Sequence, residues 1–459
     1  MIGSLTLSYV AEYCRASLNT ELHNGDAHFS QVNTDTRNLA AGELFVALRG
    51  ENFDGHNFLA QAAEKDVCGV VVEKFNEKIS IPQLVVNDTL LALGQIAAIN
   101  RDAFSKPVLA ITGSNGKTTV KTMLANILHE CGSVHATKGN LNNHIGVPLT
   151  LLELNEEHDF AVIEMGASAI GEIEYLCSLA RPQVTMVNNV MPAHIAGFGS
   201  IEGVAQAKGE IYQCLTSSDT AVINIDGDFS ARYLAGTKSK IFKVSLLNSN
   251  ADFFATNIQA SQDSVAFDLN KRDEKISVTI NALGAHSISN ALMAAAMANT
   301  VGASLEQIQR GLAKFSPVGG RMSRQQGVNN ALIIDDSYNA NPGSVRAAID
   351  VLAGYSGQRI LVLGDLGELG ENEKELHASL GEYAKQKNID QFFTLGILTQ
   401  YASHSFGVQD GPHHFSDRDF LISRLKDIVT PDTTILIKGS RSARMDLVAG
   451  ALCSIGENH

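Results

Sequence analysis

Short apolar runs separated by amphipathic stretches make up most of this 459-residue chain. The runs at 107–113, 159–166, 183–190 and 220–226 are apolar at consecutive positions, as parallel strands covered by helices on both faces require. Between roughly 251 and 281 apolar and polar residues alternate instead, which predicts a small antiparallel sheet. The pattern therefore predicts an α/β protein with mostly parallel sheets.

The hydrophobic pattern is interrupted at two places, and this predicts three domains. Pro82 follows a short α/β region, so we place a first, small α/β domain at residues 1–82. A Pro- and Gly-rich stretch, Phe315–Arg321, ends the central domain, 83–315. A second alternation of strands and helices follows at 316–459, and this predicts a Rossmann-like C-terminal domain.

The composition excludes some classes of function. A net charge of −14 argues against a broad nucleic-acid surface, because phosphate backbones require clustered Lys and Arg. The six cysteines form no C-x-x-C pair, which indicates buried free thiols in a reducing cytoplasm. No apolar run approaches the length of about 18 residues that a membrane span needs. We therefore expect a cytoplasmic protein that binds no nucleic acid and does not insert into a membrane. We also expect a monomer, although no sequence pattern defines the oligomeric state.

The segment ITGSNGKTT, Ile111–Thr119, has the features of a phosphate-binding loop, although Ile111 stands where the first glycine of the usual motif would be. A strand precedes it and a helical pattern follows, so backbone N–H groups and a lysine can face the phosphates. Lys117 can reach the outer phosphates and Thr118 can bind magnesium. A glycine turn with an incidental lysine is the alternative. The predicted ATP-binding residues of this segment are Thr112, Gly113, Ser114, Asn115, Gly116, Lys117, Thr118 and Thr119.

Other polar residues give weaker signals when they are considered alone. Glu164 ends an apolar strand, where it could assist a metal ion or be an ordinary strand-end acid. His194 lies in a glycine-flanked loop, and such a histidine is more often structural or exposed than a ligand. Lys208 has the pattern of a surface lysine on a helix. The adjacent His413 and His414 lack further candidate zinc ligands nearby, and we expect a solvated loop there.

The segment DDSYNANP, 335–342, is more specific. Together with TGSNGKTT and KGSRSARM, 438–445, it resembles the Mur ligase family, and further motifs of that family occur in order through all three predicted domains. DDSYNANP with KGSRSARM is similar to the dipeptide-adding member, and the DNPR-type segment of the diaminopimelate-adding member is not found. The chain departs from the family at Ser287, since members usually have Asn after the histidine that corresponds to His286.

The resemblance implies an ATP-dependent amide ligase of peptidoglycan synthesis with ATP and Mg²⁺ as cofactors. Lys208 would be a carbamate that bridges two magnesium ions, because carbamylation converts an ammonium into an anionic oxygen ligand. The further metal ligands would be Thr118, Glu164 and His194, and Lys117, Lys208, Glu164 and His194 would be the catalytic set. Asn290 would contact adenine, Arg321 the phosphates and Asp336 the ribose.

The resemblance also implies two small-molecule substrates, a UDP-N-acetylmuramoyl-tripeptide and D-Ala-D-Ala. An acyl phosphate formed from ATP would join them. The residues implied for the UDP substrate are Asp35, Thr36, Arg37, Gly50, Phe53, Asn142, Asn143, Ala167 and Ser168; those for the dipeptide are Tyr338, Asn339, Asn341, Lys438, Ser440 and Arg441. An amino-acid-adding or folylpolyglutamate-type ligase, a P-loop kinase or switch, and a nucleotide-binding scaffold remain as alternatives.

Overall fold

A computed structural model describes residues 1–19, 26–50, 52–407 and 411–453. Within these ranges, no helix combines the length and the apolar character needed to cross a membrane. The six cysteines are free: Cys177 is buried, Cys214 is exposed and the other four are half-buried. The expectation of buried thiols is therefore wrong for Cys214.

The first part of the chain folds around a five-stranded sheet in the order β2-β9-β8-β5-β4, in which only the β2–β9 pair is antiparallel. Two short antiparallel pairs, β1–β3 and β6–β7, flank it. The elements are β1 (Leu5–Thr6), α1 (Leu7–Cys14), β2 (Ser17–Asn19), β3 (His28–Phe29), β4 (Val32–Asn33), β5 (Leu44–Val46), β6 (Arg49–Gly50), β7 (Phe53–Asp54), α2 (Leu59–Ala63), β8 (Gly69–Val72) and β9 (Gln83–Val85).

This first sheet extends past the boundary that we predicted after Pro82. Gln83 pairs with both Val70 and Asn19, so β9 belongs to the sheet and the connection to the next domain begins after Val85. The next element is the helix α3 (Thr89–Ala103), which packs against α1 and β8 on one side and against α5 and α6 of the middle domain on the other.

The middle domain is a nine-stranded sheet in the order β11-β12-β10-β13-β14-β15-β16-β17-β18. The strands are parallel up to the β15–β16 pair and antiparallel beyond it. The elements are β10 (Val108–Thr112), α4 (Lys117–Leu128), β11 (Val134–Ala136), α5 (Gly146–Leu152), β12 (Phe160–Glu164), α6 (Glu172–Ala180), β13 (Val184–Val187), α7 (Ile195–Phe198), α8 (Ile201–Gln213), β14 (Thr220–Asn224), α9 (Ser230–Gly236), β15 (Lys240–Ser245), β16 (Phe253–Ala260), β17 (Val265–Lys271), β18 (Glu274–Ile280), α10 (Ala285–Thr300) and α11 (Leu305–Ala313).

The predicted antiparallel strands are present, but they continue the main sheet instead of forming a separate lobe. β16 pairs in parallel with β15 through Phe253 and Phe254, and this joins the two parts. Val265, Phe267 and Leu269 alternate along β17 and enter the same buried cluster as α10 and α11. The alternation therefore reflects one covered face of an extension of the central sheet.

The third domain is a six-stranded sheet in the order β19-β20-β24-β21-β22-β23, parallel except for the β19–β20 pair. Helices cover both of its faces, as predicted for a Rossmann-like domain. The elements are β19 (Ser323–Gln326), β20 (Leu332–Asp336), α12 (Pro342–Ala353), β21 (Gln358–Gly364), α13 (Glu373–Gln386), β22 (Gln391–Leu395), α14 (Thr399–Phe406), β23 (His414–Phe415), α15 (Arg418–Ile428), β24 (Thr433–Lys438) and α16 (Asp446–Leu452).

Candidate active site

A cavity of about 520 Å³ lies between the middle and third domains. The carboxyl ends of the neighbouring strands β10 and β12 lie on one side of it, and the carboxyl end of β20 lies on the other. Ligands of open α/β sheets bind at this end of the strands. Of the residues predicted from the sequence, the cavity is lined by Gly113, Ser114, Asn115, Gly116, Lys117, Thr118, Thr119, Asn142, Asn143, Glu164, Ala167, Ser168, His194, Lys208, Asn290, Arg321, Asp336, Tyr338, Asn339, Asn341 and Lys438.

Eight predicted site residues do not line this cavity. Thr112 is buried in β10 below the loop, and its hydroxyl donates to the Met165 carbonyl at 2.8 Å. The remaining seven are Ser440 and Arg441, which follow β24, and Asp35, Thr36, Arg37, Gly50 and Phe53, which lie in the first domain.

The phosphate loop has the geometry that its sequence predicts. Gly113 and Gly116 adopt φ of 147° and 75°. A Cβ on Gly116 would lie 2.6 Å from the side-chain Nδ2 of Asn188. Only glycine fits there without strain. Lys117 Nζ donates to the Gly113 carbonyl at 2.8 Å, over the start of α4. Burial lowers the pKa of Lys117; the nearby Glu164 carboxylate opposes this and Arg321 adds to it.

Glu164 is buried at the end of β12, in contact with the start of α4. Its carboxylate accepts hydrogen bonds from Thr118 Oγ1 at 2.9 Å and from Asn142 Nδ2 at 2.8 Å. Lys121 Nζ lies 3.5 Å away and also donates to the Thr137 carbonyl at 2.7 Å. Lys121 was not among the residues predicted from the sequence, although it stands one helical turn after Lys117 and could have been found from that spacing.

The described residues contain no group of three or more His, Cys, Asp or Glu side chains arranged to hold a metal ion. Magnesium does not need such a group, since it commonly binds one or two carboxylates together with substrate phosphates. The Thr118 hydroxyl and the Glu164 carboxylate, 2.9 Å apart, are oxygen donors of that kind at the mouth of the phosphate loop. The residues present therefore fit a magnesium ion that is bound together with a nucleotide.

Lys208 is buried, so its classification as a surface lysine from the pattern alone is wrong. Its Nζ donates to the Ala167 carbonyl at 3.2 Å and lies 5.3 Å from the centre of the Phe198 ring. Burial, with a further contribution from the positive charge of Lys117, lowers the pKa of Lys208 to about 7, while Glu172 and Glu210 oppose the shift. The lowered pKa makes the neutral amine more available than it is in an exposed lysine.

His194 occupies a left-handed backbone position, φ 53°, immediately before α7. Its imidazole Nδ1 pairs with the carboxylate of Glu368, which belongs to the third domain. In this arrangement the side chain connects the two domains at the edge of the cavity. Its role as a metal ligand remains a prediction.

Asn188 and Asn290 lie behind the phosphate loop, where Asn290 lines the cavity. Asn188 Nδ2 donates to Asn290 Oδ1 at 2.8 Å and to the Asn115 carbonyl at 2.9 Å, while Asn188 Oδ1 has no partner among the described residues. The hydroxyl of Ser287 donates to the Leu283 carbonyl at 2.7 Å. Asn188 was not among the residues predicted from the sequence; its position directly after β13 was the available signal.

Asp336 and Lys438 end the neighbouring strands β20 and β24 and form an ion pair at 2.5 Å, in which Lys438 is buried and Asp336 half-buried. Lys438 Nζ also donates to the Asn339 carbonyl at 2.9 Å, and Asp336 Oδ1 accepts from the backbone N–H of Met322 at 3.1 Å. Ser440 donates to the Asp365 carbonyl at 2.5 Å, so it supports the end of β24 from behind the cavity. These bonds fix the loop that carries DDSYNANP.

The predicted UDP-binding residues of the first domain lie in its loops. Asp35 and Arg37 form an exposed ion pair, which lowers the pKa of Asp35 to about 2. Phe53 stacks on Phe58 with ring centres 5.5 Å apart, and both residues are partly exposed, at 48% and 39%. Glu51, in the same motif, lies outside the described residues. The stacked rings offer an aromatic surface of the kind that a nucleotide base can stack on.

The three domains match three models of one family along the chain. Residues 28–101 match the Mur ligase family catalytic domain, 111–298 the Mur ligase middle domain and 320–441 the Mur ligase glutamate ligase domain. The chain belongs to the Mur ligase family.

Similar proteins of this family extend over the whole chain. The UDP-N-acetylmuramoyl-tripeptide--D-alanyl-D-alanine ligase of Escherichia coli (strain K12) is 44% identical over 453 residues, which cover 98% of each chain. The corresponding ligase of Haemophilus influenzae is 41% identical and covers 92% of this chain and 93% of that one. The family predicted from DDSYNANP and its companion motifs is confirmed.

Solved structures show the same three-domain fold. A crystal structure of MurF from Acinetobacter baumannii superimposes with a TM-score of 0.92 at 34% identity and covers 98% of both chains. The MurF ligase of Thermotoga maritima, solved in complex with ADP, has a TM-score of 0.82 at 26% identity and covers 92% of this chain and 96% of that chain. The predicted fold class is confirmed, and the middle domain is of a kind that binds an adenine nucleotide.

Proposed function

We propose that this protein is an ATP-dependent ligase that joins D-alanyl-D-alanine to UDP-N-acetylmuramoyl-tripeptide, giving the UDP-pentapeptide, ADP and phosphate. The observation that carries the proposal is the cavity itself, in which the phosphate loop of one domain faces DDSYNANP of the next. Full-length relatives of that activity support it.

Two chemical steps follow from this geometry. A carboxylate is a poor electrophile, so the terminal carboxylate of the tripeptide first attacks the γ-phosphorus of ATP. The bond between that phosphorus and the ADP oxygen breaks, and an acyl phosphate forms. Lys117, at the start of α4, neutralises charge on the transferring phosphoryl group. The dipeptide amine then attacks the acyl carbon and expels phosphate, while the amine loses its proton.

Magnesium, when bound with ATP, neutralises the phosphate oxygens. Thr118 and Glu164 would hold it, and Asn142 keeps the Glu164 carboxylate oriented through its 2.8 Å hydrogen bond. Lys208 would contribute a carbamate oxygen. Its burial and lowered pKa support this assignment, because carbamate formation requires the neutral amine to attack carbon dioxide. His194 would turn from Glu368 towards the metal when the substrates bind.

The nucleotide and the two peptides would occupy different walls of the cavity. Asn290 would face adenine, Arg321 the phosphates and Asp336 the ribose, whereas Tyr338, Asn339, Asn341 and Lys438, with Ser440 and Arg441 behind them, would receive the dipeptide. The tripeptide end of the UDP substrate would reach Asn142, Asn143, Ala167 and Ser168, and Asp35, Thr36, Arg37, Gly50 and Phe53 would hold its UDP end. One chain supplies both walls, which supports a monomer as the active form. Its proposed substrates support a cytoplasmic location.

A phosphate-release assay tests this proposal. The protein is given ATP, Mg²⁺ and the UDP-tripeptide, and then D-Ala-D-Ala, diaminopimelate, lysine or glutamate in separate reactions. We expect phosphate release with D-Ala-D-Ala alone among the four. Release with a single amino acid would instead identify an amino-acid-adding ligase of the same family, and release without any amine would contradict ligase activity.

A further inference from the structure

Two carboxamides join the middle and third domains inside the cavity. Asn341 Nδ2 donates to Asn115 Oδ1 at 2.7 Å, and Asn115 Nδ2 donates to Asn341 Oδ1 at 3.2 Å. Asn115 belongs to the phosphate loop and Asn341 to the loop that precedes α12. The pair is reciprocal, so neither side chain can turn away without the loss of both hydrogen bonds.

Each partner is held by its own domain. Asn341 is the N-cap of α12, where its Oδ1 also accepts from the Ser344 N–H at 2.9 Å and its own N–H donates to Ser344 Oγ at 3.0 Å. Asn115 is held through its backbone: its N–H donates to Asn189 Oδ1 at 2.8 Å, and its carbonyl accepts from Asn188 Nδ2 at 2.9 Å. The pair therefore connects two anchored loops.

On the middle-domain side, further hydrogen bonds lead from Asn115 to Asn290, the residue that would face adenine. Asn188 Nδ2 contacts the Asn115 carbonyl and Asn290 Oδ1, so a continuous set of amide hydrogen bonds runs from Asn290 through Asn115 to the first turn of α12. The residues that would hold the nucleotide and those that would receive the dipeptide are thus in direct contact. Such a contact can set the distance between the γ-phosphate and the dipeptide amine.

We propose that Asn115 and Asn341 are a positioning pair that holds the dipeptide side of the site against the phosphate loop, and that D-Ala-D-Ala binds weakly when the pair is broken. This inference rests on the proposed function. Without the pair, closure of the third domain has to be driven by the incoming dipeptide itself, which raises the KM for the dipeptide. The bound dipeptide restores the arrangement, so kcat changes little.

A double-mutant cycle with Asn115→Ser and Asn341→Ser tests the pair. Serine is as good an N-cap as asparagine, so Asn341→Ser keeps α12 capped while it removes the amide. Asn115→Ser leaves the backbone bonds of the phosphate loop in place. We expect each single variant to raise the KM for D-Ala-D-Ala about three- to tenfold, with kcat changed less than about twofold, and the double variant to raise it no further than the larger single effect.

A matched control is Tyr355→Phe, which removes another hydrogen bond between the same two domains, from the Tyr355 hydroxyl to the Gln262 carbonyl at 3.1 Å. Tyr355 lies outside the cavity, and we expect a wild-type KM. The inference is overturned if the single variants keep the wild-type KM, if their effects multiply in the double variant, or if Tyr355→Phe raises the KM equally. Failure of the proposed function would look different, since wild-type phosphate release would then not depend on D-Ala-D-Ala.

Discussion

Tyr338 holds two arginines beside the cavity. The Arg321 guanidinium lies 3.9 Å from the centre of the Tyr338 ring and that of Arg441 lies 5.4 Å from it. A cation over an aromatic face is attracted by the ring quadrupole, and the attraction grows when water is excluded. The ring therefore positions two cations near the place where negative charge develops in the proposed reaction.

Replacement of Tyr338 by leucine should lower kcat/KM for D-Ala-D-Ala about tenfold, because both guanidinium groups lose the aromatic face that they contact. Tyr338→Phe keeps the aromatic face and should stay within about threefold of the wild type. Steady-state kinetics with each substrate varied in turn provides the measurement. Equal losses in the two variants would show that the hydroxyl, and not the ring, is what the site uses.

Lys208 allows a direct spectroscopic test of carbamylation. In ¹³C-bicarbonate, the wild-type protein should show a carbamate carbon signal that is absent from Lys208→Ala, and this variant should lose at least about a hundredfold in kcat, since an anionic group at the reaction centre is removed. Lys106→Ala, on an exposed side chain, is the control for both readouts. A carbamate signal that persists in Lys208→Ala would assign it to another lysine.

The residue types at the site were easier to predict than their environment. ITGSNGKTT identified Lys117 and Thr118 through a local motif, since a strand, a turn and a helix suffice to define it. The burial of Lys208 could not be predicted from its helix, because it is caused by the Ala167 carbonyl and the Phe198 ring, which approach from other segments. The pairing of Asn115 with Asn341 spans two domains and had no local signal.

The helix α4, which starts at the phosphate loop, packs against α11. The two helices approach so closely at Gly311 that a Cβ there would lie 2.3 Å from the Ile127 Cα and 2.8 Å from the Asn126 carbonyl oxygen. Both atoms belong to the backbone of α4, so a side chain at residue 311 can be accommodated only if one helix moves.

Gly311→Ala should therefore destabilise the middle domain by about 3 kcal/mol, through overpacking against the backbone. The control is Gly450→Ala on α16, where a Cβ would meet nothing within 4 Å, and this variant should gain about 0.5–1 kcal/mol from helix propensity. Denaturant unfolding measures both. If Gly311→Ala were as stable as Gly450→Ala, the two helices would be free to separate, contrary to the packing described.

The order of the strands in each sheet could not be predicted from local sequence patterns. Alternation in residues 251–281 predicted antiparallel strands, which are present as β16–β18. Whether they form their own sheet depends on the contact of Phe253 and Phe254 with β15, a pairing between segments that no periodicity encodes. For the same reason Pro82 looked like the end of a domain, although β9 follows it directly and completes the first sheet.

At the scale of the whole molecule, the first two domains share one buried hydrophobic cluster, and each has a further cluster of its own. A single buried cluster contains Leu7 and Leu44 of the first domain, Leu93 of α3, and Val108 and Ile163 of the middle domain. The third domain has separate clusters on the two faces of its sheet. We therefore expect the three main sheets of the described residues to unfold as two cooperative units.

Leu93→Ala, in the shared cluster, should lower the unfolding temperature of the first and middle domains together, at a cost of about 2–5 kcal/mol. Leu380→Ala, in a cluster of the third domain, should lower only the transition of that domain. Calorimetry combined with hydrogen exchange distinguishes them. If Leu93→Ala affected the first domain and left the middle domain unchanged, the core would not be shared.

The position of α3 also affects how the protein is made. α3 packs on the first domain with one side and on α5 and α6 with the other, so its burial has to wait until Ala180 has been synthesised. At ordinary rates of translation, the chain from Ala103 to Ala180 takes roughly 4 to 15 s to emerge. During that interval the nascent N-terminal domain exposes the apolar side of α3 at the ribosome, and it is then a natural client for a chaperone.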